Sequence, residues 1–357
     1  MIPFEFASPK TMLDATNAVD HESTMALAGG TTLLDLMKLN VLQPKKVVSI
    51  APLLGNSVRM EDGTLTIEAG CTMAQLADHE LVRDSFPVLR QSLITAASPQ
   101  IRNMATIGGN LLQRTRSTYF RHPDMPPPEE SFDDSQDEKF WHRVDLSSAA
   151  VLGNNGRLVG TYPGDFANAV VAFDATVHLE GPDHQRTVQA REFYRKPQQQ
   201  EIQYNVDLKP GELITAVSFS VTPALKNSLY FKVRERSSYA FALASVAAGL
   251  EIDGQGSSAV VKRANIAIGG LGSIPWFSNA AVKAIEGKPA TDENFEKAAE
   301  AALAEATPPP GSEYRIRLAK RCLIRSLRRL RDAGPYSDAE IWAMQHGRPS
   351  QETQPRP

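Results

Sequence analysis

Apolar runs and helical stripes alternate along the first half of the chain. "STMALAGG" is a brief apolar run closed by two glycines, which predicts a strand leading into a turn. In "TTLLDLMKLN", Leu33, Leu34, Met37 and Asn40 recur at helical spacing, with Thr31 or Thr32 placed to cap. "KKVVSI" predicts a second strand and completes a small βαβ unit. "RMEDGTLTIEAG" reads as a hairpin turning at Asp62-Gly63, and "TMAQLADHELVRDSFPVLRQSLITAA" as helix interrupted near Pro87.

From His122 to about Asp145 the periodicity is lost. "HPDMPPPEESFDDSQDEKFWHRVD" is rich in proline and acid, which marks an inserted loop. Strand patterns resume at "GRLVGTYP", "VVAFDATVHLEG" and "ELITAVSFSV". Beyond a boundary near "VTPALKNS", residues 221 to 228, lies a second unit: "LYFKVRERSSYAFALASVAAGLEI", "SAVVKRANIAIGG" and two helices. A short antiparallel sheet with helices on one face is expected there. After Leu330 the chain turns polar and ends in a loosely ordered tail. No internal repeat is visible.

Composition narrows the classes. With 357 residues, 42% of them hydrophobic, and a formal charge of −3, the chain can bury a good core and has no basic surplus for nucleic acid. No apolar run approaches the roughly 18 residues of a membrane span. The N-terminus "MIPFEFASPK" lacks the charged and apolar regions of an export signal. Cys71 and Cys322 have neither metal-type spacing nor the density of a disulfide framework. A cytoplasmic location is expected from this chain alone, or a periplasmic one if a signal-bearing partner carries it across already folded.

Two glycine pairs hold the candidate chemistry. "LAGGTT", Leu27 to Thr32, lies between a strand and a helix, where main-chain N–H groups turn readily toward an anion. Taken alone it reads first as an ordinary strand-to-helix turn. It is not a Walker loop, since no Gly-Lys-Ser/Thr follows, nor a Gly-x-Gly-x-x-Gly fingerprint. "TIGGN", Thr106 to Asn110, is the second pair, with an asparagine amide beside it. Two strand-adjacent glycine loops together suggest a diphosphate-containing ligand gripped from two sides.

"LAGGTTLLDLM", "TIGGNLLQRTR", "TYPGDFANAVVAFDATVHL", "KPGELITAVSF" and "FKVRERSSYAFALASVA", in that order, resemble the FAD-binding medium subunit of the molybdenum hydroxylases. This family includes xanthine dehydrogenase, carbon monoxide dehydrogenase and the bacterial aldehyde oxidoreductases, and the last of these look nearest. "ANIAIGGLGSIPWFSNAAVKAIEG" and "SEYRIRLAKRCLIRSL" resemble that family's C-terminal domain. The resemblance implies an α+β fold. A two-lobed FAD-binding domain of the PCMH/VAO type would span 1–222, with lobes of about 1–56 and 57–222. An antiparallel-sheet-plus-helices domain would span 223–332, and a tail 333–357.

The resemblance also implies site residues. Ala26, Leu27, Ala28, Gly29, Gly30, Thr31, Thr32 and Leu33 would grip the FAD pyrophosphate with backbone amides. Thr106, Gly108, Gly109 and Asn110 would close on the diphosphate and ribityl, with Gln113 near the adenosine half. Asp165 would hydrogen-bond the cofactor's sugar, or merely cap a helix. Leu213 and Ile214 would pack near the adenine or isoalloxazine edge and also in the core. Lys232 would stand at the flavin's pyrimidine end, where a cation favours the reduced, anionic form, or would be a solvated strand end. No catalytic acid–base set stands out.

One departure is visible. In the aldehyde oxidoreductases a loop entered by a similar "NLLQRTR…TYFR" carries a [4Fe–4S] cluster on cysteines. Here the insert, about 117–150, begins with Ser117, and no cysteine lies between Cys71 and Cys322. A cluster needs about four thiolates, so no [4Fe–4S] centre and no metal are expected on this chain. His122 and His142 read as solvated loop residues. The helix "EYRIRLAKRCLIRSLRRL", with its stripe of Ile316, Leu323, Leu327 and Leu330, reads as a packed helix with outward arginines, and Cys322 as buried and inert.

The function implied is that of the FAD-carrying electron-transfer subunit of a heteromeric complex. A large partner would hold molybdopterin and oxidise an aldehyde or N-heterocycle. A small partner would hold [2Fe–2S] centres, and electrons would leave FAD for oxygen, a quinone, ferredoxin or NAD. The alternative is a flavin-free subunit that only holds such a complex together.

Overall fold

The computed structural model describes residues 1–122, 146, 148–196 and 206–346. Three sheets organise them. Strands β1 (Glu5–Ala7), β2 (Thr24–Leu27) and β3 (Lys46–Ser49) form a parallel sheet in the order β1-β3-β2. The helix Leu33–Lys38 crosses from β2 to β3, which is the expected βαβ unit. Its N-cap Thr32 makes no side-chain bond, so the threonine cap expected there is not formed. The strand β1 before this unit escaped the sequence reading.

The second lobe is built on an antiparallel sheet of β4 (Val58–Glu61), β5 (Thr64–Glu68), β6 (Thr176–Glu180), β7 (Gln185–Gln189) and β8 (Leu213–Ser220), in the order β4-β5-β8-β6-β7. β4 and β5 are the expected hairpin. Asp62 and Gly63 at its tip both have positive φ, 47° and 73°, as a two-residue hairpin turn of this hand demands. The helical stretch breaks twice, at His79 and before Pro87, into Met73–Asp78, Glu80–Ser85 and Pro87–Ile94. Phe86, Phe166, Phe193 and Phe219 fill the core between helices and sheet.

Two strand expectations are corrected. "GRLVGTYP" forms no extended strand but isolated bridge positions at Arg157 and Gly160, the latter paired with Ala149. "VVAFDATVHLEG" divides: the helix Asp165–Ala172 takes "VVA", the chain turns at Asp174 (φ 48°), and only Thr176–Glu180 is strand. All eight residues of that helix are buried, so it shows no polar face and its apolar run mimics a strand.

The C-terminal unit is an antiparallel sheet of β9 (Ser228–Val233), β10 (Ala244–Asp253), β11 (Val260–Gly269) and β12 (Trp276–Phe277), in the order β12-β11-β10-β9. Alternation along its strands divides the two faces. Leu229, Val246, Ala248, Ile266 and Ile268 pack against the unit's own helices, which number three rather than two: Asn279–Ile285, Asp292–Ala302 and Glu313–Asp332. Tyr230, Ala247 and Ala267 point the other way, into the core of the first domain.

The tail also departs from expectation. Residues 338–346 form a helix, and Asp338 takes the Arg90 guanidinium at 2.6 Å, which ties this helix to the first domain. Residues 347–357 and most of the 117–150 insert, His142 included, lie outside the described residues.

Gly249 sits where β10 passes under both neighbours. A Cβ there would stand 2.3 Å from the Ala224 carbonyl oxygen and 2.6 Å from the Phe173 ring. Gly249→Ala is therefore expected to cost about 2 kcal/mol through overpacking, measured by urea denaturation, whereas the same change at the open turn of Gly287 should not act by crowding.

Candidate functional site

A trough runs across the face where the two lobes and the C-terminal unit meet. Its narrower end, a cavity of about 210 Å³, is lined by residues 25–33 from the first loop, Thr106, Gly108 and Gly109 from the second, and Glu212, Leu213 and Ile214 from the start of β8. Its wider end, about 520 Å³, is lined by Asn110, Pro163, Gly164, Asp165, Tyr239, Phe241 and Arg315 among others. Thr31, Thr32, Gln113 and Tyr162 border both ends and form the waist.

The two glycine loops do different work. In the first, the N–H groups of Gly29 to Thr32 meet no acceptor among the described residues, leaving a run of donors on the trough wall. Gly30 has φ +74°, which a side chain would resist. Gly29 is needed for closeness: its Cβ would fall 1.9 Å from the Met104 carbonyl oxygen, so the loop is pressed on the chain that leads to Ala105.

In the second loop the amides are already used. Ile107 N donates to the Cys71 carbonyl, Gly108 N to that of Ala69, and Gly109 N to Thr106 Oγ1, which caps the short helix Ile107–Leu111. This loop offers space. Gly109 is exposed, and a Cβ there would meet only Thr106 Oγ1 at 3.1 Å. Asn110 stands next to it, buried, its amide nitrogen 3.3 Å from Met73 Sδ and its Oδ1 without a partner.

Of the residues expected from the sequence, Ala26 to Leu33, Thr106, Gly108, Gly109, Leu213 and Ile214 gather at the narrow end. Asn110 and Asp165 lie at the wide end, and Gln113 sits at the waist. Leu213 and Ile214 are 3% and 5% exposed, so they also serve as core. Asp165 does not cap its helix; Gly164 holds that position. Its carboxylate takes the Tyr230 hydroxyl at 2.5 Å on one oxygen and Lys232 Nζ at 2.8 Å on the other.

Lys232 is therefore no solvated strand end. Its side chain is 2% exposed, it stands behind Asp165, and it borders a separate basic groove with Arg234, Arg236 and Arg325. Burial pushes the Lys232 ammonium pKa below its ordinary value against the pull of Asp165. Burial, and then the neighbouring carboxylate, push the Tyr230 phenol well up.

Sequence reasoning missed three groups. Asp35, on the helix after the first loop, takes Arg116 at 3.0 Å and Arg121 at 2.7 Å, which fastens the entry of the insert to that helix. Glu212, with its side chain fully buried, gathers Arg186, His184 and the Lys209 N–H, while its carbonyl takes His21 Nε2 at 2.8 Å from the first lobe. Arg315 is the third; an arginine in the first turn of a helix, against the helix dipole, was the available signal.

Ser117 is buried on the insert side, its N–H bonded to Thr115 Oγ1, and His122 is exposed. Burial raises the thiol pKa of Cys71 to about 11 and of Cys322 to about 12, so neither is a ready thiolate. Among the described residues no three His, Cys, Asp or Glu side chains are grouped to hold a metal ion, and no helix is long and apolar enough to cross a membrane.

Two outcomes follow for the site. Gly109→Leu should abolish ligand uptake at the trough, more than tenfold in Kd, with the melting temperature little changed. Gly29→Ala should instead lower the melting temperature by several degrees before any ligand is added. Glu212 supplies the pH dependence. Burial alone would raise its pKa, but Arg186, His184 and the Lys209 N–H prevail and hold it at about 2, against an ordinary 4.5. A depressed carboxylate stabilises the fold fully above its unfolded pKa and loses that contribution as pH falls from about 4.5 through about 2. The urea midpoint of Glu212→Gln should fall below that of the natural protein at pH 7, and the gap should close in acid.

Known proteins share this architecture. The family model described as the FAD binding domain in molybdopterin dehydrogenase matches residues 2–220, and that of the CO dehydrogenase flavoprotein C-terminal domain matches residues 229–330. The aldehyde oxidoreductase FAD-binding subunit PaoB of Escherichia coli (strain K12) is 35% identical over 305 residues, covering 83% of this chain and 88% of that protein. The carbon monoxide dehydrogenase medium chain of Afipia carboxidovorans is 27% identical over 343 residues, covering 92% and 98%. Among solved structures, reconstituted CO dehydrogenase from Oligotropha carboxidovorans superposes with a TM-score of 0.69 at 24% identity, covering 93% of this chain and 99% of that one.

Proposed function

This chain belongs to the FAD-binding subunits of the molybdenum hydroxylases, and we infer from that membership and from the trough that FAD lies along the trough with its diphosphate at the first loop. The observation that carries this reading is the run of unpaired N–H donors from Gly29 to Thr32, facing the side-chain-free surface of Gly109. Such donors suit a diphosphate, which brings acceptor oxygens and no donors. The orphaned Oδ1 of Asn110 suits a hydroxyl of the ribityl chain, and the wide end beyond it suits the ring system. Gln113 and Tyr162 at the waist would be the polar neighbours of the segment between.

When bound, FAD supplies the ability to take up and release electrons either singly or in pairs. The chain's own part is to bind, orient and shield. Leu213 and Ile214 exclude water at the narrow end, and Asp165, fixed by Tyr230 and Lys232, presents a charged hydrogen-bond acceptor at the wide end.

We propose partners to match: a large molybdopterin subunit that oxidises an aldehyde or an N-heterocycle, and a small subunit with [2Fe–2S] centres. An external acceptor, oxygen, quinone, ferredoxin or NAD, would meet the flavin at the mouth of the wide end. The names of the relatives favour aldehydes over carbon monoxide, since the 35% match is to an aldehyde oxidoreductase subunit. The test is to purify the chain with the proteins that accompany it. FAD in the extract at about one per chain, together with the two partner chains, is the expected outcome. A complex that turns over substrate with no FAD would establish instead a flavin-free subunit that only holds the assembly together.

A further inference from the structure

Arg315 has 2% of its surface exposed. It donates to the carbonyls of Ala149 and Gly270, its Nε has no partner, and among the described residues no Asp or Glu pairs with it. Three costs fall on this one side chain. A charge is taken out of water, no counter-charge meets it, and it occupies the third position of the 20-residue helix Glu313–Asp332, where the dipole disfavours a cation. Linking two carbonyls does not require any of this, because a neutral amide can donate to the same acceptors. Lys232, buried to a similar degree, has its charge met by Asp165, whereas Arg102 and Arg234, which meet only carbonyls, are half-buried and not fully enclosed.

Arg315 lines the wide end of the trough, beside Ser148, Thr161 and Gly270. With the trough taken as the FAD site, the diphosphate is served at the other end by Gly29 to Thr32, which leaves the ring as the group that can answer this charge. A flavin that takes up two electrons and one proton gains a single negative charge on its pyrimidine portion. The electrons come from an iron–sulfur partner in a complex, or from dithionite in the cuvette. Lys232, which the family resemblance put forward for this position, has its charge met by Asp165 at 2.8 Å. We propose that Arg315 is the cation that stabilises the reduced, anionic ring of FAD, acting as a positioning residue for charge rather than as a structural bridge alone.

The test uses the full chain loaded with FAD, as the natural protein, Arg315→Gln and Arg315→Lys. Three quantities are measured: the two-electron midpoint potential against a reference dye, the Kd for oxidised FAD, and the melting temperature without FAD. Both variants lose the guanidinium fork and should melt lower. Only Arg315→Gln should lose the preference for reduced over oxidised flavin, by at least tenfold, which is about 30 mV more negative for a two-electron couple. Arg315→Lys should keep that preference to within about threefold, about 15 mV by the same relation. Equal shifts in the two variants, or none in either, would overturn the proposal. So would a weaker Kd for oxidised FAD with the potential unchanged, because the charge would then serve the diphosphate. If Arg315→Gln does not fold, Arg315→Met takes its place beside Arg315→Lys: a tenfold loss of the preference for reduced flavin in Arg315→Met alone supports the assignment, and equal or absent shifts remove it. Failure of the natural chain to take up any FAD would be the distinct failure of the trough as the FAD site.

Discussion

The Asp165 carboxylate is the contact on which the site's geometry turns. It sits at the start of a fully buried helix of the first domain, and both its donors, Tyr230 and Lys232, come from β9 of the second. Burying a carboxylate is tolerable only when its oxygens are met by donors and its charge by a cation. Here both requirements are filled across the domain boundary. Gln91 reinforces the same seam, its Oε1 accepting the Tyr230 N–H and its Nε2 donating to the Tyr336 carbonyl, each at 2.8 Å. The wide end of the trough thus has walls from two domains held at fixed distance by a buried polar cluster.

The narrow end is held differently, by closeness of backbone. Gly29 lets the first lobe press onto Met104 and Ala105, and the carbonyl of Glu212 takes His21 from the opposite side. Leu213 then belongs to two structures at once: the small hydrophobic cluster of the first lobe with Ala15, Val19, Val48 and Ile50, and the first position of β8 in the second. Binding surface and lobe interface share side chains, so the shape of this end depends on the lobes staying together.

Much of this was legible in the chain. Short-range signals survived intact: the Asp62-Gly63 turn, the βαβ unit, the break at Pro87 and both glycine loops depend on neighbours in sequence. Elements fully enclosed by the rest of the fold did not. The helix Asp165–Ala172 is buried on every side and lost its period, and "GRLVGTYP" has strand composition but forms only isolated bridge positions. The site divided along the same line. Gly29, Gly30, Gly109 and Asn110 announce themselves by type and spacing. The pairing of Asp165 with Lys232, and the solitude of Arg315, arise from residues far apart in sequence, and no local pattern encodes them.

The C-terminal sheet is covered on both faces, by its own helices on one and by the first domain on the other. Two family descriptions divide the chain near residue 225, yet that division is one of ancestry and not of autonomy. A gene split there would yield one fragment with Tyr230, Ala247 and Ala267 bared to water, and another stripped of the donors that neutralise Asp165. Such halves have reason to find each other and little capacity to persist apart. Insertions and fusions are thus better accommodated at the ends of the chain than at the seam between its domains.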